Sequence, residues 1–267
     1  MNGQPSHIRV GVLALQGAFI EHIGAFEQLC DQYPDRFVLH RGAEDGTGCA
    51  RRLPDEDDVL WGACPTEENR RVCLEIIEVR TGEQLSQESL DGLVLPGGES
   101  TTMAIAAARL GLWEPLCSWI AGQRPTFGTC AGLILLSNAA KSLKCGGQGL
   151  LGGIAVEVNR NYYGRQGDSF QHQILLYDSD LHFSSQVGDQ LAEARGAEGI
   201  FIRAPFIEKI NDLDKVKVLA RLPRDARVDK QWVEDPVVAV RQGCFLGLTF
   251  HPELLPGHTL QFFEKLH

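Results

Sequence analysis

Several kinds of residue pattern are missing from this chain, and each absence removes a class of function. Eight cysteines occur (Cys30, Cys49, Cys64, Cys73, Cys117, Cys130, Cys145 and Cys244), yet none forms a Cys-x-x-Cys pair or a zinc-type spacing. They read as reduced thiols, and no metal site is expected. No apolar run approaches the ~20 residues that span a bilayer, and the polar stretch from Met1 to Ser6 leads into no signal-like apolar core, so a cytoplasmic protein is expected. Basic residues are outnumbered, 25 Lys and Arg against 35 Asp and Glu, for a formal net charge of −10. Nucleic-acid and anionic-membrane binding need concentrated positive surface and are set aside. There is no internal repeat and no low-complexity segment, and 267 residues suffice for one large α/β domain with a substantial core.

What is present is a set of strand–turn–helix units. His7 to Leu15 is a nearly continuous apolar run, as in a buried parallel strand, and it breaks at Gln16-Gly17. Phe19, Ile23, Phe26 and Leu29 then recur at helical spacing from Ala18 to Cys30. Gln16 thus falls at the carboxyl end of a first strand, where open α/β sheets bind ligands. From 31 to 71 the rhythm is lost among prolines, glycines and charges, including Asp55-Glu56-Asp57-Asp58, which reads as solvated surface. This segment is read as an insertion. Its short apolar pieces, Phe37-Val38-Leu39 and Val59-Leu60-Trp61, suit either a folded flap or hairpin or part of a long loop.

Alternation resumes with strands over Val72 to Val79 and Gly92 to Leu95, joined by a polar connection from Gly82 to Glu88. The second of these strands ends in Pro96-Gly97-Gly98-Glu99-Ser100-Thr101-Thr102, before a helix from Met103 to Leu110. Backbone amides of such a loop can face a ligand, which suits an oxyanion hole; the plainer reading is a turn with Ser100 or Thr101 capping the helix. A Walker lysine is missing, which removes nucleoside triphosphate binding. Leu112 to Ala121 is helical, Thr126-Phe127 ends a strand, and a helix is expected through Leu133 to Ala140. After a glycine-rich link the pattern turns strand-rich, with strands at Ile154 to Val158, Asn159 to Gln166, Phe170 to Tyr177, Gly199 to Arg203, Val216 to Leu222, Val237 to Arg241 and Phe245 to Phe250. A final helix is expected over Thr259 to Leu266.

Two stretches carry chemistry. Phe127-Gly128-Thr129-Cys130-Ala131-Gly132 reads as a strand delivering a cysteine into a sharp turn that opens a helix. Small residues on both sides permit the turn, and the helix N-terminus favours a thiolate at Cys130. Far downstream, the apolar strand ending at Phe250 delivers His251-Pro252-Glu253, so that the carboxylate two positions past the histidine can take its ring N–H and fix tautomer and orientation. Nucleophile, base and orienter are then Cys130, His251 and Glu253. A buried free cysteine and a lone histidine at a strand end are each commonplace; the pairing of the two motifs is what points to catalysis.

The motifs taken together, Leu13-Ala14-Leu15-Gln16-Gly17, Pro96-Gly97-Gly98-Glu99-Ser100-Thr101-Thr102, Phe127-Gly128-Thr129-Cys130-Ala131-Gly132, Asn159-Arg160-Asn161, Gly164-Arg165-Gln166, Phe201-Ile202-Arg203-Ala204-Pro205 and Phe250-His251-Pro252-Glu253, resemble the glutaminase subunits of pyridoxal 5′-phosphate synthases. These belong to the class I, triad-type glutamine amidotransferases, and the match runs in order from residue 8 to about 265 except across the insertion. The resemblance implies one three-layer α/β domain over 1–267, with a mostly parallel central sheet flanked by helices and the 31–71 insertion. By similarity, Cys130 attacks the side-chain amide of L-glutamine, His251 moves the proton and Glu253 orients His251. Gly98, Glu99, Ser100, Arg160, Ile202 and Arg203 map to glutamine-binding positions. Gly97, Gly98, Ala131 and Gln16 map to the oxyanion hole and its activation, with the Pro96-Gly97-Gly98 loop able to present either an N–H or a carbonyl to the oxyanion.

The resemblance also implies a partner, a barrel-shaped synthase subunit that receives the ammonia and builds pyridoxal phosphate in a hetero-oligomeric complex. No cofactor is expected on this chain, and no lysine stands in a recognisable Schiff-base setting. Two other readings differ in class: a class I glutaminase serving another synthase, such as the imidazole glycerol phosphate enzyme, and a non-enzymatic fold relative whose reactive cysteine senses oxidants. A sensor has no use for a general acid, so His251-Pro252-Glu253 weighs against it.

Overall fold

A computed structural model describes residues 6–35, 37–41, 72–87, 89–141, 148–160, 169–176, 197–223, 227–228, 231–232 and 236–255. The strands are β1 (Ser6–Leu13), β2 (Phe37–Arg41), β3 (Val72–Val79), β4 (Gly92–Leu95), β5 (Thr126–Thr129), β6 (Ser137–Lys141), β7 (Ile154–Asn159), β8 (Phe170–Leu176), β9 (Ala197–Phe201), β10 (Phe206–Ile210), β11 (Lys217–Arg221), β12 (Arg227–Val228), β13 (Gln231–Trp232), β14 (Val237–Gln242) and β15 (Phe245–Leu248). The helices are α1 (Phe19–Gln32), α2 (Gly82–Gln87), α3 (Ser100–Arg109), α4 (Trp113–Ala121) and α5 (Ala131–Leu136).

A ten-stranded sheet, ordered β2-β3-β1-β4-β5-β15-β14-β11-β8-β9, forms the middle layer. Its strands are parallel from β2 through β15 and antiparallel from there outward. Period-two side-chain alternation sends apolar residues to both faces. Val10, Val12, Val94, Phe127, Leu246 and Leu248 face one core, which α1 closes with Phe26. Leu13, Leu93, Leu95 and Phe245 face the other, filled by Met103 of α3, Leu116 of α4 and Leu133 of α5. The result is the expected layering of a mostly parallel sheet between helices. A second sheet, β10-β7-β6, adds Ile154, Val156, Val158 and Ile207 to this latter core.

The strand order positions the site. β1 lies between β3 on one side and β4 on the other, and β1, β4, β5 and β15 are consecutive parallel neighbours with their carboxyl ends on one edge. That edge, at the point where the winding reverses, is where loops from parallel strands converge. Gln16, the Gly97-Gly98 loop, Cys130 and His251 each follow one of those four strands.

Some elements differ from the sequence reading. The helix expected over Leu133 to Ala140 stops at Leu136, where the Ser137 hydroxyl donates to the Ile134 carbonyl at 2.7 Å and Ser137 takes an extended ψ of 151°. The chain continues as β6, parallel to β7. Phe37-Val38-Leu39 is no flap: it lies in β2, an edge strand of the main sheet paired in register with β3, Leu39 opposite Leu74. The irregular segment is therefore narrower than 31–71, because α1 runs to Gln32 and β2 to Arg41. The polar connection after β3 contains the short helix α2, and Phe206–Ile210 is a strand that the apolar pattern did not announce. Val59-Leu60-Trp61, the acidic run, most of Asn159 to Gln166 and the expected helix over Thr259 to Leu266 lie outside the described residues.

Candidate active site

Cys130 occupies a strained turn. Its φ of 49° and ψ of −103° lie in a region that side chains other than glycine seldom adopt, and it stands immediately before α5. The strain falls on the cysteine itself, whereas the flanking glycines supply space. A Cβ at Gly132 would collide with the Leu95 carbonyl, and one at Gly128 would meet the Gly132 backbone at 2.7 Å. Helix α5 thus presses against β4 and β5, and the turn is fixed from below by the Cys130 N–H donating to the Leu248 carbonyl at 2.8 Å. The Sγ atom lies 3.9 Å from the Ile202 carbonyl oxygen.

His251 follows β15 and is anchored by its own N–H to the Ile200 carbonyl at 2.9 Å. Its ring Nδ1 faces Glu253 Oε1 at 2.7 Å, with Glu253 held in a short 3-10 turn, Pro252–Leu254. Cys130, His251 and Glu253 are all buried, and the His251 ring and Cys130 Cβ both border Gly97, where a side chain would strike the imidazole. Burial works against a charged His251, but hydrogen bonds and charge interactions with Cys130 and Glu253 outweigh it and lift its pKa to about 10. Burial also opposes the Glu253 carboxylate, yet His22 and His251 hold its pKa below the usual value. The arrangement sets an imidazole between the Cys130 sulfur and a carboxylate, so that the thiol proton can sit on His251 while the sulfur attacks an amide and can then be passed on to expel an amine.

The loop after β4 closes the other side. The Gly97 carbonyl accepts from the Ala18 N–H at 2.9 Å, and Gln16 Oε1 accepts from the Glu99 N–H at 2.8 Å. Gly17, with a φ of 92°, is where the β1–α1 turn touches the Gly97 carbonyl so closely that a Cβ would not fit. Because a trans peptide sets its N–H opposite its carbonyl, the Gly98 N–H points away from Ala18. Gln16 is thus tied to the loop, though through the Glu99 amide one peptide beyond Gly97-Gly98. Ala131, fully buried, begins α5 beside the cysteine.

Glu99 caps α3. Its carboxylate accepts from the Thr102 N–H at 2.7 Å and hydroxyl at 2.8 Å, and pairs with Arg160 at 2.5 Å. Burial would raise its pKa, but Thr102, the Thr101 amide and the arginine bring it to about 2. Ser100 and Thr101 both donate to Gln148 Oε1, at 3.1 and 2.9 Å. Ile202 and Arg203 follow β9, both exposed, Arg203 with a φ of 48°. Of the residues singled out in the sequence, Cys130, His251, Gly97 and the Ile202 carbonyl are in contact, and Gln16, Glu99 and Arg160 form a chain through the neighbouring loop; among the described residues Arg203 makes no hydrogen bond or ion pair with either group, and residues 161–166, which follow Arg160, lie outside the described residues.

Sequence reasoning passed over His22. It is fully buried on α1, its Nε2 lies 3.0 Å from Thr129 Oγ1 and 3.4 Å from Glu253 Oε2, and burial pushes its pKa down, leaving it neutral at pH 7. Its signal was available: position 22 sits on the apolar stripe of α1 between Phe19 and Phe26, where a polar side chain needs a buried partner. Gln148, in the glycine-rich link, offered no such signal.

The chain is similar to known proteins along nearly its whole length. The chain is 38% identical over 260 residues to the pyridoxal 5′-phosphate synthase subunit PdxT of Geobacillus kaustophilus, covering 97% of this chain and 94% of the relative. It is 36% identical over 247 residues to the PdxT subunit of Pyrococcus furiosus, covering 92% of each. A crystal structure of a glutamine amidotransferase aligns with a TM-score of 0.62 at 29% identity, over 96% of this chain and 97% of that one. Residues 12–265 match the SNO glutamine amidotransferase family, and the chain therefore belongs to that family.

Proposed function

We propose that this glutamine amidotransferase is the glutaminase subunit of a pyridoxal 5′-phosphate synthase, using Cys130, His251 and Glu253 as its triad. The observation that carries the residue assignment is the convergence of a strained cysteine at a helix start with a buried, carboxylate-paired imidazole across Gly97. Cys130 gives its thiol proton to His251 as Sγ attacks the carboxamide carbon of glutamine, and the carbonyl oxygen becomes an oxyanion. Backbone N–H groups of Gly98 and Ala131 stabilise that charge. The C–N bond then breaks as His251 gives its proton to the departing nitrogen, releasing ammonia and leaving a glutamyl thioester. Water adds to the thioester with His251 as base, and glutamate leaves as the Cys130 sulfur is released. Throughout, Glu253 keeps Nδ1 protonated and the ring aimed.

Glu99, Ser100 and Arg160 bind the substrate's amino-acid end, with the backbone of Ile202 and the side chain of Arg203 completing the pocket. An arginine fork suits a carboxylate and a glutamate carboxylate suits an ammonium. Ammonia passes to the barrel-shaped synthase subunit, which docks over the site. Support for docking there comes from Ile20, Ile202 and Leu254, large apolar side chains left exposed on the segments that carry the site. The relatives' shared designation favours this partner over another synthase, and the His251–Glu253 pair favours catalysis over oxidant sensing.

The test is to mix the full chain with a pyridoxal 5′-phosphate synthase subunit and follow glutamate, ammonia and pyridoxal phosphate. Glutamate release that supports pyridoxal phosphate formation, abolished in Cys130→Ala, is expected. Failure to release glutamate, or release that never feeds the synthase, would overturn the respective half of the reading.

A further inference from the structure

The triad ends, by sequence, at Glu253, but a buried carboxylate has two oxygens to satisfy. Oε1 accepts from His251. Oε2 is inaccessible to solvent and has no hydrogen-bond partner among the described residues, while the His22 Nε2 lies 3.4 Å away, within ion-pair range. We propose that His22 is a positioning residue of the glutaminase site, its Nε2–H bonded to Thr129 Oγ1 and facing Glu253 Oε2 so that the carboxylate is held in the orientation that aims His251 at Cys130.

The proton is assigned to Nε2 from its surroundings. Among the described residues Nδ1 has no partner, so a buried N–H there would be orphaned, whereas Nε2 faces two oxygens. With its lone pair on Nε2, the ring would instead turn that pair toward a carboxylate oxygen, which is repulsive. The Thr129 contact, at 3.0 Å, is the hydrogen bond; the carboxylate contact, at 3.4 Å, is a longer electrostatic one in which the positive N–H edge of the ring faces Oε2.

The ring is locked for this task. It packs edge-on against Phe127, with centroids 6.0 Å apart at 88°, and has no solvent exposure. Thr129, its other partner, immediately precedes Cys130. His22 therefore touches both the strand that delivers the nucleophile and the acid that orients the base, from a third element, α1. An apolar side chain would fill the core equally well and leave Oε2 bare. A histidine stands where packing alone would not ask for one.

The inference rests on the glutaminase reading, and the test separates the two. His22→Phe keeps an aromatic ring but has no donor; His22→Gln carries its amide nitrogen at about the reach of Nε2, and His22→Asn at about that of Nδ1. With the synthase subunit present, kcat for glutamine should fall about tenfold to a hundredfold in His22→Phe with KM within about twofold, and recover most of the loss in His22→Gln. In parallel, the Nδ1–H signal of His251, read by NMR on histidine-labelled chain without glutamine, should persist in His22→Gln and vanish or broaden in His22→Phe. Equal kcat in the Phe and Gln variants, or an unchanged His251 signal in the Phe variant, would overturn the assignment. Should His22→Phe not fold, the Asn and Gln variants decide: Gln clearly the more active supports it, equality overturns it. If the wild-type chain released no glutamate, the functional reading would fall, while the NMR comparison would still decide the role of His22.

Discussion

Only Pro252 separates His251 from Glu253, yet the ring Nδ1 and the carboxylate Oε1 meet at 2.7 Å because the chain turns into a 3-10 segment directly after the histidine. The proline fixes the φ that makes the turn, so one local bend brings orienter and base within reach of each other.

This pairing predicts the pH profile. With the His251 pKa raised to about 10 and that of Glu253 lowered, the imidazolium–carboxylate pair is intact across neutral pH. Glutamine turnover should therefore show no loss near pH 6.5 and an alkaline limb near 10, where His251 gives up the proton needed by the leaving nitrogen. Stability follows the same signs. The contribution of His251 is fully present below its unfolded pKa of about 6.5 and lost as pH rises through about 10; that of Glu253 is present above about 4.5 and lost as pH falls through its depressed folded value. A kcat/KM profile with its upper limb near 7 would contradict the assignment.

Cys130 should be the residue that a glutamine-like electrophile labels. Of the other described cysteines, Cys30 is pushed up to about 11 by burial, and Cys73, Cys117 and Cys244 are also raised, chiefly by burial. None therefore offers much thiolate at neutral pH. Peptide mapping after limited labelling should place the adduct on Cys130, and Cys130→Ala should abolish glutaminase activity with the fold unchanged. Labelling mainly elsewhere, with activity lost, would point to another nucleophile.

Much of this was legible in the sequence, for identifiable reasons. Parallel strands buried on both faces read as apolar runs, so β1, β4 and β15 stood out, and the residues at their carboxyl ends fall together because these strands and β5 are consecutive neighbours in the sheet. Helix ends were less visible: the stop at Leu136 depends on the Ser137 hydroxyl turning back to Ile134, which apolar periodicity does not encode. The strain at Cys130 was credited to its glycine neighbours, because a positive φ on the cysteine itself has no local signature. His22 was hidden for a different reason. Its meaning lies in Glu253, which is distant in sequence and reaches it only through the packing of α1 on the last turn.

Arg160 provides a test of substrate binding. Its guanidinium is mostly buried against Glu99, which also caps α3. Arg160→Gln should raise KM for glutamine about tenfold with kcat within about a factor of two, as expected when ground-state and transition-state binding are lost together. If the pair served only to cap the helix, the melting temperature would fall with KM unmoved.

The last prediction concerns control by the partner. Gly17 has no room for a side chain against the Gly97 carbonyl, Ala18 donates to that same carbonyl, and Gln16 accepts from the Glu99 amide. Three successive residues of the β1–α1 turn thus grip the loop that would supply the oxyanion-binding N–H, and the exposed Ile20 stands in the first turn of the helix that follows. A synthase subunit pressing on this turn would move the loop directly. Glycine at 97 and 98 lets the peptide respond at little steric cost. Stimulation by the synthase should accordingly appear mainly in kcat, because an oxyanion contact is realised in the transition state. Gln16→Ala removes one neutral hydrogen bond, about 1 kcal/mol, and should blunt that stimulation while leaving complex formation intact. Gly17→Ala forces a clash at the same contact and should lower stability by about 1–3 kcal/mol as well as activity. Titrating each variant with synthase subunit, while following binding and glutamate release separately, distinguishes the cases. A Gln16→Ala chain stimulated as fully as the wild type would show that the turn does not transmit docking to the oxyanion loop.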